Sequence, residues 1–244
     1  MIVNPTSQGW EIIFQRAHAL LAAKLAYYLA NKLRTPEAIW LEMLTSIAEH
    51  DDGQTGWKRK NHLTEANAPK DITQQKYNLE QARRVVSESA HKSRWIALMS
   101  SLHAYHLHHP FQGDNQEVDQ FLEEQKTYQK LLRKSLKISE EESEVAYTVM
   151  RWCDECSLIL CKSQIPPQDK KLEVGMLPYG TSRFIHQQGD KVSVSPWPFE
   201  KKQFEISVEY YSVDQLAFDN DESLRKHLKD QSPNVRCWHF AEHS

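Results

Sequence analysis

The strongest constraint on this chain is a change of apolar period at Pro166-Pro167. Before that point apolar residues recur at helical spacing; after it they alternate as in half-buried strands. Residues 10 to 33 carry Ile12, Ile13, Leu20, Leu21, Leu25, Tyr28 and Leu29, which predicts one helix with Gln15 and His18 embedded in it. Thr35-Pro36-Glu37 reads as a helix start with Thr35 as cap, and the helix ends near His50 before Asp51-Asp52-Gly53.

Residues 57 to 72 read as a polar loop, followed by a short helix from Thr73. Further helices are expected over about 91 to 109, stopping at Pro110, and over about 115 to 137. Ser139-Glu140-Glu141-Glu142 has the form of a capping box opening the last long helix. Beyond Pro167, Ser182–His186 and Lys191–Val194 flank Gly189-Asp190 as a hairpin, with Gln187-Gln188 able to lengthen its loop. A strand over 204 to 211, a short helix over 221 to 228 and a last strand over 236 to 240 follow. The expected fold is mainly α: a helical bundle over residues 1–166, with a small C-terminal β-rich appendage (hairpin and antiparallel strands) over 167–244 packed on it.

Composition removes several function classes. A formal net charge of -3 over 244 residues supplies no positive field for nucleic acid or anionic lipid. The best apolar run, 17 to 30, is interrupted by His18 and Lys24, so no membrane span is expected. No signal-peptide pattern opens the chain, and Cys153, Cys156 and Cys161 crowd one helix as reduced thiols would, which implies a cytoplasmic protein. There is no phosphate-binding glycine loop and no serine nucleophile elbow.

The chemistry-bearing residues are ionisable groups set among apolar ones. His50 and Asp51 are adjacent, and at a helix end their side chains can approach one cation from neighbouring directions. His18 and Asp154, inside apolar helices, complete a mixed nitrogen and oxygen set suited to Mn, Fe, Zn or Mg, one or two ions per chain. In the plainer alternative, His18 bonds a helix carbonyl and Asp154 pairs with Arg151 or a nearby Lys. His103 and His106 share a helical face; His108 and His109, at the helix end, read as surface residues. Cys153-Asp154-Glu155-Cys156 has a CxxC spacing with no second pair, so buried thiols are expected rather than a redox or zinc site. Pro196-Trp197-Pro198-Phe199 reads as an anchor joining appendage to bundle, or else as a lid.

These residues together resemble an uncharacterised bacterial HD-domain-like family, domain of unknown function 3891, related to HD-type metal-dependent phosphohydrolases. The likeness rests on residues 10–22, with Gln15 preceding His18, on Glu49-His50-Asp51-Asp52-Gly53 and on Ser100-Ser101-Leu102-His103. It continues at Asp154-Glu155-Cys156-Ser157-Leu158 and Val194-Ser195-Pro196-Trp197-Pro198-Phe199. The chain departs from the family pattern where Gln54-Thr55-Gly56 displaces an expected Trp to Trp57. The resemblance implies an HD-like bundle with His18, His50, Asp51 and Asp154 as metal ligands, Asp51 and His103 as catalytic residues, and Gln15, Asp52, His106 and Arg183 as substrate contacts. It implies hydrolysis of a small phosphorylated substrate, a nucleotide among the candidates. A di-iron oxygenase, a non-catalytic metal- or ligand-binding module and a purely structural bundle stay open, as does a homodimer.

Overall fold

The computed structural model describes residues 1–52, 62–74, 78–167 and 170–243. It corrects the expected mainly α architecture: half of the described residues are helical and 21% are strand, in a curled, mixed seven-stranded sheet. The sheet is built from both ends of the sequence. Strands β1 (Ile2–Pro5) and β2 (Trp10–Ile13) open the chain, and β3 (Leu172–Met176), β4 (Ser182–Gln188), β5 (Lys191–Ser195), β6 (Gln203–Val213) and β7 (Asn234–Ala241) follow the helices. Their order is β1-β2-β6-β7-β5-β4-β3, antiparallel throughout except for the parallel β5–β7 pair.

Ile12 and Ile13 therefore belong to a strand and not to the first helix. Ile12 pairs with Tyr211 and Trp10 with Val213, a contact across about two hundred residues that local periodicity cannot reveal. β6 has the expected alternation, with Phe204, Ile206 and Val208 buried against exposed Glu205 and Glu209. The hairpin forms with Gly189-Asp190 as a tight turn, and Gln187 and Gln188 pair with Val192 and Lys191 rather than lengthening the loop. β3 carries a bulge at Gly175, whose φ of +118° is strained for any residue with a Cβ.

The helices are α1 (Gln15–Tyr28), α2 (Glu37–Glu49), α3 (Leu79–Ala90), α4 (Arg94–His108), α5 (Gln116–Leu136), α6 (Glu140–Cys161) and α7 (Asp221–Lys229). α2 starts on Pro36 without a side-chain cap, so Thr35 does not play the capping role its position suggests. Residues 91–93 separate two helices: α3 ends there, and Ser93 caps α4 by accepting from Ile96 N at 3.1 Å. Ser139 and Glu142 form the expected capping box on α6.

α1 is wedged between α2 and α6 on one side and β6 on the other. That position explains why it is buried on most of its circumference. The Lys24 ammonium ties α1 to the sheet by donating to Ser207 O at 2.7 Å. The Pro196–Phe199 stretch acts as an anchor. Phe199 is buried, edge-on to Trp152 of α6 at 6.0 Å, and Ala30 N donates to Pro198 O at 2.9 Å. Bundle and sheet share one apolar core running from Leu21, Leu98 and Met150 to Ile185, Val194 and Phe240.

Candidate metal centre

α1, α2, α4 and α6 converge on one polar spot inside this apolar core. α1 brings His18, the end of α2 brings His50 and Asp51, α4 brings His103 and α6 brings Asp154. The helix does end at His50, so the chain turns and Asp51 points to the same place as its neighbour. The ligand atoms of His18, His50 and Asp51 lie within 4.8 Å of one another, and so do those of His50, His103 and Asp154. The sequence set is thus brought together, and His50 is common to both groups.

The hydrogen bonds decide which imidazole nitrogens face inward. His50 Nδ1–H donates to Ile47 O at 2.7 Å, one turn back on its own helix. Ser157 Oγ lies 2.8 Å from Asp154 O and gives its only proton there, so it accepts from His18 Nδ1 at 2.9 Å. Both rings are thereby left presenting Nε2. His18 Nε2 is 2.8 Å from Asp51 Oδ2, and His50 Nε2 is 3.6 Å from Asp51 Oδ2 and 3.3 Å from Asp154 Oδ1. Asp154 Oδ1 is buried, with no hydrogen bond of good geometry. Two imidazole nitrogens turned toward two carboxylates, one with a buried oxygen that lacks a well-formed hydrogen bond, are an arrangement that suits a divalent cation.

Burial and charge compete at each group. Burial pushes the His50 imidazole down, but the Asp154 and Asp51 carboxylates beside it win and raise it to about 10. Burial likewise raises Asp51, and the charge of His50 and the hydrogen bond from His18 more than reverse this, leaving it well below the ordinary carboxylate range. Asp154 is held down in the same way, chiefly by His50 against burial. His103 goes the other way: burial and the neighbouring His50 charge press it down to about 4, so it is a neutral ring at pH 7. His50 and His103, whose rings meet edge to face at 4.9 Å, are therefore in opposite states in the metal-free protein. The side chains of Asp51 and Asp154 are 14% and 15% exposed against 2% and 1% for His18 and His50, so solvent reaches the centre from the carboxylate side.

The remaining candidates sit at graded distances. Gln15 Nε2 donates to Asp51 Oδ2 at 3.4 Å and belongs to the cluster. Asp52 is drawn off by Arg16, 3.2 Å from its carboxylate. His106 lies one turn beyond His103, stacked on Tyr147 at 4.7 Å, with Nε2 3.1 Å from Glu144 Oε2. Arg183 is on β4, opposite Gly175 of β3, and its buried Nε has no partner; none of its contacts reaches the five groups. His108 is buried, its Nδ1–H bonded to Ala104 O at 2.7 Å and its ring against Phe121, so only His109 is the surface histidine both were expected to be. The three helix cysteines are buried free thiols whose pKa values burial raises, Cys161 to about 12. That is the inert reading of the CxxC spacing. Trp57 and the Gln54-Thr55-Gly56 insertion lie outside the described residues.

Two participants escaped the sequence reading. Ser157 orients His18, and Tyr147 places its hydroxyl 3.3 Å from His103 Nδ1. Their signal was spacing: Tyr147, Asp154 and Ser157 recur along one stripe of α6. An open cleft of about 610 Å³ lined by Val3, Trp10, Pro69 and Asp71 borders β1 and β2 and contains none of the five central residues. No described helix is long and apolar enough to cross a membrane.

No curated protein and no solved structure matches the chain. A family profile does match, over residues 1–215, from β1 through β6 and including every group of the centre. The chain belongs to the family described as "Protein of unknown function (DUF3891)".

Proposed function

We propose that the chain is a metal-dependent hydrolase of a small phosphorylated substrate, a nucleotide among the candidates. His18, His50, Asp51 and Asp154 hold the ion and His103 stands beside it, an HD-type arrangement. The observation that carries this reading is the pair of committed Nδ1 atoms, which leave both Nε2 atoms facing the carboxylates, while buried Asp154 Oδ1 makes no hydrogen bond of good geometry. A bound divalent ion (Mn, Fe, Zn or Mg) supplies positive charge that eases water toward deprotonation and stabilises charge on a phosphate oxygen.

Hydrolysis joins a water oxygen to phosphorus, breaks the ester P–O bond and moves one proton from water to the leaving oxygen. The Asp51 carboxylate, facing the solvent side, accepts a hydrogen bond from the attacking water and orients it. Neutral His103 and the Tyr147 hydroxyl together keep one donor free: His103 Nε2–H if the hydroxyl donates, the tyrosine O–H if His103 does. That donor serves an oxygen of the phosphate. Gln15 Nε2 helps to fix the Asp51 carboxylate by donating to Oδ2, the oxygen that also faces His18.

Both three-residue groups need His50, and an imidazole whose Nδ1–H is committed has one lone pair to offer. This favours one ion per chain over two irons sharing the centre. The test is elemental analysis after gentle purification, then phosphate release from a panel of phosphate esters with Mn. One equivalent of metal and turnover abolished by Asp51→Ala support the reading. A chain that takes up no divalent metal, or that takes it up and turns over no phosphate ester, overturns the hydrolase.

A further inference from the structure

We propose that Arg151 is the anion-binding residue of this centre, gripping the phosphate oxygens of the substrate next to Tyr147 and His103. The proposal rests on the metal-hydrolase reading and adds a residue that reading does not contain. Tyr147, Arg151 and Asp154 are spaced i, i+4, i+7 on α6. At 100° and 1.5 Å per residue they occupy a stripe roughly 60° wide and about 10 Å long. Asp154 ends that stripe inside the centre, and Tyr147 borders it through His103.

Arg151 is exposed and, among the described residues, has no ion pair; in particular it is not paired with Asp154. On α6 Arg151 stands one helical turn from both Tyr147 and Asp154, so its side chain starts out beside this end of the centre. Glu144 is already engaged by His106 at 3.1 Å and by Arg133 at 3.4 Å. Other described cations near the site are engaged, Arg16 by Asp52 and Lys92 by Glu49. Among the described residues on this stripe of α6, Arg151 is the cation left available.

The chemistry of the centre requires such a group. Two carboxylates and neutral donors face the opening, and one divalent ion only cancels the carboxylates. A phosphate monoester arrives with up to two negative charges and needs a further cation beyond the ion. Arginine's planar fork matches two phosphate oxygens at once, which an ammonium does not.

The test titrates inorganic phosphate into Mn-loaded wild type, Arg151→Glu and Arg151→Lys by calorimetry, with Mn content measured on the same samples. The expected result is unchanged Mn in all three, phosphate affinity lower by about tenfold or more in Arg151→Glu, the size of one charge-assisted contact, and partial recovery in Arg151→Lys. Mn retention with equal phosphate affinity in wild type and Arg151→Glu sinks this proposal alone. Loss of Mn in Arg151→Glu makes the residue structural and also overturns it. Wild type that takes up no Mn removes the metal-hydrolase reading and this proposal with it.

Discussion

Metal uptake by this protein should release protons, and the amount follows from His50. In the metal-free chain the Asp154 and Asp51 carboxylates outweigh burial and hold the His50 imidazole protonated up to about pH 10. The proton sits on Nε2, because Nδ1–H is bonded to Ile47 O at 2.7 Å. Nε2 is the atom an ion would take, so the ion must displace that proton. At pH 7 the group lies about three units below its pKa, and at 1.36 kcal/mol per unit the displacement costs about 4 kcal/mol of metal affinity. Asp51 and Asp154 are already ionised and His103 is already neutral, so none of these adds a proton.

Mn titrated by calorimetry at pH 7, in buffers of different ionisation heat, should therefore release at least about one proton per ion. Apparent affinity should rise about tenfold per pH unit between about pH 6.5 and 9. The stability of the metal-free chain runs the other way over the same window. A raised His50 pKa contributes stability fully present below 6.5 and lost as pH rises through about 10, whereas the lowered Asp51 and Asp154 contribute stability lost as pH falls below the ordinary carboxylate range. Metal uptake with no proton release, and with affinity flat from pH 6.5 to 8.5, would refute the reasoning, because His50 would then not be both protonated and a ligand.

Three further outcomes follow from the packing. Ser157→Ala frees His18 Nδ1 and should weaken Mn binding about 10- to 100-fold, read by competition with a chromophoric chelator, while the fold persists by circular dichroism. Phe199→Ala empties the joint between α6 and the sheet and should cost about 3–5 kcal/mol in denaturant unfolding; a loss below 1 kcal/mol would mean that the joint is not where the core is fastened. Arg236→Ala leaves the buried Glu11 carboxylate with only Asn4, and should cost about 2 kcal/mol, less than a fully buried pair because Arg236 reaches solvent.

Much of the candidate site is legible in the sequence. His18, His50, Asp51, His103 and Asp154 stand out because ionisable groups on apolar helical faces are costly without a partner, and they do meet. Ser157 and Tyr147 were not legible in that way, since a serine or tyrosine on a helix carries no cost that demands an explanation. The fold was read less well. α5, α6, α7, β6, β7 and the hairpin follow from period and turn chemistry. β1 and β2 do not: each has four residues, too few to show a period, and Ile12-Ile13 runs straight into the apolar face of α1. β2 takes its strand character from pairing with β6, some two hundred residues away, and β1 from pairing with β2. Taking β2 for the start of a helix, with no element assigned to residues 2–5, removed two strands from the sheet and made it look like an appendage.

What sequence alone determined here is which residues are expensive and which segments are amphipathic, because both are local properties of side-chain chemistry and spacing. Tertiary structure decided the rest. It drew the first thirteen residues into the same sheet as the last seventy, brought four helices to one point, and chose, through Ile47 O and Ser157 Oγ, which nitrogen of each histidine faces that point. Hydrogen-bond direction and long-range pairing depend on neighbours far away in the chain, and no local pattern encodes them.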